Sequence, residues 1–534
     1  DALGSDEAKK AKVMALLGKQ AYNLGNVSSS ILTPAGGSYP TLSLVNLNDI
    51  AQTVRADVVD GGYFNVSIDN SELNVSKIQT FGNTTLKNKA VLNANGSVHL
   101  FGQVSLENSL ISSRGIGNII LGAVDGTTTL GEVVKLKNTE MNASGLTLSF
   151  RGAINTGLAS DGSISGNTFQ AATFDWQPVG CQSVTFGAGN KFAIVTSTKV
   201  ADQSSFVFDP GTGSGDNDYG SLGQITMGKE SSLKLLHNSL LEAKGISMTS
   251  GNLVLQQESR LSSYGTLTMG SGNVTVENKS KLLVDGASFG GHVSVSGSSY
   301  MLVNGSVTQQ SGNLNISSGS NFVGLGDYSA QGSKISIEGA KATMTLSGVL
   351  SMNSSIDIAM DSASLSVTDG GGVSLGGIIA NSKSFIDLDH ATAAFVTDNL
   401  VLNDTATAVI NDTTITEGGI YHNGIGFLSL DNLTMSEKAS KIVLNSGDTT
   451  MTGAITLGSG SDQGVYVQGG SLSIGDTSLD KATQLSGMVS LSSGTVTVHN
   501  VDLLEKVVVQ SGIGIRQLTF NPLTSDGAIH IQNV

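Results

Sequence analysis

One cysteine, Cys181, is all that 534 residues contain, so the chain holds no internal disulfide framework. A lone thiol of this kind reads as a small apolar filler. Proline is scarce at 5 residues, and aromatics at 5% are too few for a large conventional core. Charged residues reach only 13%, too low for ordinary disorder. Arginine occurs only at Arg55, Arg114, Arg151, Arg260 and Arg516, and the net charge is −15. That balance excludes a phosphate backbone, and with it nucleic acid, as the expected partner. No apolar run reaches the roughly 18 residues of a membrane-crossing helix. The chain opens at Asp1 with no apolar leader segment, as expected of a processed or trimmed chain.

Chemistry-bearing patterns are equally thin. The seven histidines are scattered with no two at ligand spacing, so zinc is not expected. No glycine-rich loop is followed by Lys and Ser or Thr, so no nucleotide site is expected either. The chain has no Asp-Asp pair, and it lacks the Gly-His-Gly and Arg-Ile-Lys motifs of pectin-degrading hydrolases. Closest to an acid–base pair is Phe385-Ile386-Asp387-Leu388-Asp389-His390, where Asp387 and Asp389 share one face of a strand. Trp176 is the only tryptophan, a poor supply of sugar platforms, and the reading is non-enzymatic and without cofactor. For metal, Asp216-Asn217-Asp218 opens like a calcium loop but lacks its glycine and closing glutamate. Asp216 and Asp218 are the calcium candidates, against the plainer reading of a solvated acidic turn.

What the chain does have is a beat. Apolar triplets fall at Leu233-Lys234-Leu235, Leu253-Val254-Leu255, Val274-Thr275-Val276, Val293-Ser294-Val295, Leu314-Asn315-Ile316, Ile335-Ser336-Ile337 and Ile356-Asp357-Ile358. Their steps are 20, 21, 19, 21, 21 and 21 residues, the period of a solenoid. A second position keeps time at Leu261, Leu282, Leu302, Phe322, Met344 and Leu365, and a third at Met227, Met248 and Met269. Three short alternating strands per coil of 20–21 residues predict an all-β, single-chain parallel β-helix of roughly twenty rungs. Each rung then needs only its neighbours to bury its apolar side chains.

Corners punctuate the coils. Ser-Gly-Asn recurs at 250, 271 and 311, and asparagines close earlier strands at Asn70, Asn88, Asn108 and Asn138. Asparagine tolerates left-handed turns and bonds to nearby backbone, so stacked corner amides are expected to form a ladder. The interval from Asn108 to Asn138 is longer and carries the loop 122–131, and a second insertion is expected at 205–222. The expected organisation is a helical capping or docking segment at 1–60, an Asn-cornered solenoid at 61–204, a loop at 205–222, a main solenoid at 223–517 and a terminal strand at 518–534. Ser5 caps the short N-terminal α-helix, whose apolar stripe is Val13, Leu16, Leu17, Ala21 and Leu24 and which stops at Gly25. A cap or docking element is needed because a first rung exposes unpaired backbone. Sequons such as Asn65-Val66-Ser67 and Asn304-Gly305-Ser306 are frequent, but a chain this rich in Asn, Ser and Thr produces them by chance.

The Gly/Ser/Thr/Asn-rich coils, apolar triplets near 20-residue spacing, cysteine poverty and acidic balance of residues 60–534 resemble the passenger domains of bacterial autotransporters and related secreted β-helical adhesins. The resemblance is one of style and period. It implies an extracellular or cell-surface chain that mediates adhesion or cell-to-cell aggregation, with partners among its own copies or host-cell glycans and proteins. Gly-Asp-Ser-Gly, the signature of the protease members, is absent, and the membrane-anchoring barrel that follows such passengers is not in this sequence. Two alternatives stand beside adhesion: a head-to-tail filament, sheath or surface-layer subunit, and a β-helical protein that binds or cleaves glycans.

Overall fold

The computed structural model describes residues 21–23, 26–28, 41–47, 53–62, 65–114, 117–122, 134–143, 146–152, 163–178, 183–330, 333–352, 358–368, 372–457, 463–475, 483–499, 501–503, 508–511, 517–521 and 530–531. Within them the chain is all-β and forms a parallel β-solenoid of about 18 turns. No α-helix occurs among the described residues. Val13, Leu16, Leu17 and Leu24 of the expected helix lie outside them, as does Cys181. The end of that expected helix is different: Ala21–Asn23 is a strand in parallel register with Thr53–Arg55. Tyr22 and Asn23 are poorer helix formers than the alanine and leucines before them, which suits pairing at this point. The fold divides into two compact units, Asp1–Gly265 and Thr266–Val534.

In the first unit, one sheet stacks Thr41–Val45, Asn65–Asp69, Thr84–Lys87, Val104–Glu107 and Val134–Lys137 in parallel. Register puts Leu44, Ile68, Leu86, Leu106 and Leu136 in one inward column, each at 8% exposure or less. A fully buried leucine contributes about 1.5–3 kcal/mol, so the column is a main source of cohesion. The interior then changes character. Phe150, Phe169, Phe174, Trp176, Phe186, Phe192, Phe206, Phe208 and Tyr219 are buried together, with ring centroids between 4.7 and 6.4 Å. A chain poor in aromatics has concentrated many of them in one stretch of core. The expected loop at 205–222 is shorter than the sequence suggests, because Ser205–Phe208 and Asn217–Ser221 are rung strands whose Phe206, Phe208 and Tyr219 point inward. Only residues 209–216 stand between them.

The second unit shows the apolar triplets most clearly. Val293 and Val295 stack on Leu314 and Ile316, which stack on Ile335 and Ile337, all buried. The next rung departs from the even beat: Ile337 pairs with Met360, so the triplet that stacks is Ile358-Ala359-Met360, two residues later than expected, and Ile356 and Asp357 lie outside the described residues. The second column slips once as well, since Leu282 pairs with Met301 and Leu302 faces outward half-exposed. Both slips arise where consecutive or alternate residues are all apolar and the pattern fits two registers. Further along, Ser364–Val367, Phe385–Asp389, Thr407–Asn411, Phe427–Asp431, Asp448–Thr452, Ser471–Ile474 and Thr495–His499 form a parallel stack in unbroken register.

Candidate functional site

Alternation within that stack decides which side chains meet solvent. From Phe385–Asp389 the core takes Ile386 and Leu388, both fully buried, while Phe385, Asp387 and Asp389 face out. The next rung presents Thr407, Val409 and Asn411, and the one after it Phe427, Ser429 and Asp431. Phe385 and Phe427 therefore occupy the same outward column, two rungs apart, or about 10 Å at strand spacing. Both are unusually open for phenylalanine, at 37% and 41%, and Ile425 in the turn before Phe427 is 75% exposed. Phe385, Phe427 and Ile425, with Val409 on the rung between, thus break a face made mostly of Ser, Thr, Asn and Asp.

An acidic corner borders the strip. His390 and Asp412 follow their strands with φ of 52° and 46°, and Asn432 holds the same corner on the next rung at 49°. These are the residue types that enter the left-handed region most readily after glycine. His390 Nδ1 lies 2.9 Å from Asp389 Oδ1, and its Nε2 lies 3.5 Å from Asp412 Oδ2. Asn411 Nδ2 donates to the same Asp389 oxygen at 2.8 Å. Burial raises the Asp387 carboxyl above its ordinary pKa and the nearby Asp389 charge adds to this, while a hydrogen bond from Ser366 Oγ at 3.3 Å opposes it. The two carboxylates singled out by sequence are thus side by side, each already held by a neighbour.

The corner asparagines of the first unit have a different character. Asn70, Asn88, Asn108 and Asn138 all have positive φ, between 44° and 54°. Asn88 Nδ2 donates to Asp69 Oδ1 at 2.8 Å, which lowers the Asp69 pKa, and Asn138 Nδ2 donates to Asn108 Oδ1 at 3.2 Å. A continuous amide ladder, which the sequence did not single out, runs through Asn381, Asn403, Asn423 and Asn445, with Nδ2-to-Oδ1 distances of 3.0, 3.1 and 2.7 Å. Its 20- and 22-residue spacing was the available signal. Such side-chain bonds tie successive rungs at their corners.

Asp216 and Asp218 are both exposed, and neither belongs to a cluster of three potential ligands among the described residues. Asp218 Oδ1 accepts from its own turn at Gly220 N, 2.8 Å away, and Asn217 Oδ1 accepts from Gly189 N at 3.2 Å. Asp389, His390 and Asp412 do form such a cluster, with one donor atom from each within 4.8 Å of the others. Sequence reasoning had Asp389 and His390 in view but passed over Asp412, Ile425 and Phe427, which join them only through the coil period. No helix among the described residues is long and apolar enough to cross a membrane. The chain matches no protein-family model, no curated protein and no solved structure.

Proposed function

We propose that this chain is a non-enzymatic surface protein, secreted or displayed outside the cell, that works by adhesion or self-association through the outer faces of its solenoid. The observation that supports this most is the exposed strip of Phe385, Ile425 and Phe427 beside the acidic corner. Apolar side chains held open on a rigid sheet, rimmed by polar groups, are typical of contact surfaces. The surrounding Ser, Thr and Asn columns repeat at rung spacing and offer many weak hydrogen bonds in parallel. Summed over a rigid face, such contacts reach avidities far above any single one.

The test is retention of chain-coated beads on cells and on immobilised glycans, read beside soluble chain as competitor. Retention that soluble chain competes away supports the contact reading, and beads that wash off like uncoated ones overturn it. Glycan turnover is assayed in parallel with an Asp387→Asn, Asp389→Asn double variant. Cleavage by the native chain that this variant loses would replace adhesion with glycan hydrolysis.

A further inference from the structure

A second break in the polar surface lies on another stack of the second unit. Strands Ile378–Asn381, Leu400–Leu402, Thr414–His422, Ala439–Leu444 and Gly464–Val467 pair in parallel, and their register sets Ile379, Val401, Tyr421, Val443 and Tyr466 in one column. Each stands between two buried residues of its strand, so alternation turns it outward. The column is serine again at Ser490 on one side and, past Ala359, at Ser336 on the other. We propose that this apolar strip binds a neutral β-1,4-linked glycan laid along the stacking direction. That ligand class rests on the contact reading above and deepens it.

The surface of the strip suits a sugar chain. Tyr421 and Tyr466 are two rungs apart, about 10 Å at strand spacing. Val443 between them faces out yet is only 3% exposed, closed in by the two larger side chains, so the three make one continuous platform. An extended β-1,4 glycan repeats every two sugars over nearly the same length. Alternate sugars therefore meet successive tyrosine rings, their C–H faces against the negative faces of the π-systems. The amide ladder from Asn381 to Asn445 runs beside the column, two residues further along each strand, with one amide per rung. Asn403 and Asn423 each use one N–H and one oxygen lone pair within the ladder and keep a second of both for a sugar hydroxyl.

Area and charge separate this occupant from others. The column and its two flanks measure about 20 by 13 Å, on the order of 250 Å². A stable dimer needs about 800 Å² from each partner, so a second copy gains too little here, whereas a single glycan chain fits the strip along its length. On the flank away from the ladder, Gly377, Gly419 and Gly464 carry no side chain and leave the platform open. Lys441 is the only charged residue on the column and its flanks, in a chain of net charge −15, so an ionic partner finds little to pair with. Its Nζ lies 5.6 Å from the Tyr466 ring centre, within reach of the hydroxyls of a sugar stacked there.

The deciding experiment titrates cellohexaose and chitohexaose into the full chain by calorimetry, with maltohexaose, an α-linked chain that does not lie flat, as control. The expected result is binding of at least one β-linked hexaose and none of maltohexaose. Tyr421→Ser and Tyr466→Ser should each weaken that binding about tenfold. Tyr466→Phe, which keeps the ring, and Phe385→Ser, on the other stack, should bind as the native chain does. Serine already fills this column at Ser490, so the serine variants keep the fold, and an unchanged circular dichroism spectrum confirms it. A native chain that holds neither β-linked hexaose, or serine variants that hold it as tightly, would overturn the strip; native beads still retained on cells would then leave the contact reading standing. Maltohexaose bound as tightly as the β-linked hexaoses would overturn the choice of linkage.

Discussion

Asn108 shows what a single corner residue contributes. Its φ of 47° costs an ordinary L-residue about 1–2 kcal/mol, and its Oδ1 accepts from Asn138 on the following rung. Asn108→Ala should therefore lose about 1–2 kcal/mol in denaturant unfolding, and Asn108→Gly about half as much, because glycine keeps the turn and loses only the ladder bond. Equal losses would mean that backbone conformation is not what asparagine supplies. His422 acts at the same scale by the opposite route. It is fully buried in an inward column between Leu402 and Leu444, with Nδ1 3.1 Å from Thr449 Oγ1. Burial holds its pKa below 6.5, while the Gly426 carbonyl and the Asp448 charge pull the other way. As pH falls through the unfolded value near 6.5, the unfolded chain takes up a proton that the folded chain resists, so stability declines on acidification. His422→Leu should remove that component. The stability gap between variant and native chain should widen in the variant's favour from pH 7.5 to 5.5, and a gap that stays constant would show that His422 is not the group responsible.

Coil turns impose a stricter requirement on the element. Gly251 has φ of 118°, and a Cβ there would stand 1.8 Å from the Ser231 carbonyl oxygen. Gly211, with φ of 89°, has nothing within 4 Å of the same position. Gly251→Ala should cost on the order of 3 kcal/mol or more and Gly211→Ala only about 1 kcal/mol, the strain of the conformation alone. Comparable unfolding midpoints would deny that rungs approach this closely. Within the aromatic core of the first unit, Phe186→Ala should cost about 3–5 kcal/mol, since its ring packs against Phe169, Phe192, Phe206 and Phe208. At this scale the sequence was highly informative where inward and outward positions differ in polarity, as in Val274-Thr275-Val276. It misled where they do not: Tyr300-Met301-Leu302-Val303 is apolar at every position, so only stacking selects Met301 over Leu302. His422 was invisible because a polar residue in an inward column breaks the very pattern used to find the column. The corner cluster needed two steps at once: His390 and Asp412 are 22 residues apart, and a search at local ligand spacing passes over neighbours made by the coil.

For the whole molecule, the account ties function to repetition. Inward columns of Leu, Ile, Val and Met hold successive rungs in register and leave the outward columns free to vary. Most outward positions on the 364–499 stack are Ser, Thr, Asn or Asp; Phe385, Val409 and Phe427 depart from that rule, and Ile425 in the turn before Phe427 extends the departure. Outward side chains can thus vary on a frame that the inward columns hold, without a pocket having to be built. The net charge of −15 fits a solvated surface that meets partners through shape and many polar contacts. Clustering of beads coated at equal density with the native chain or with a Phe385→Ser, Ile425→Ser, Phe427→Ser variant tests this most directly. Serine already occupies the equivalent outward column at Ser364 and Ser471, so the variant keeps the fold. The account predicts that native beads cluster with one another, or attach to a cell surface, and that the variant loses at least tenfold of that attachment, a difference of about 1.4 kcal/mol. Native beads that stay dispersed and unattached, or a variant that adheres as strongly as the native chain, would contradict it.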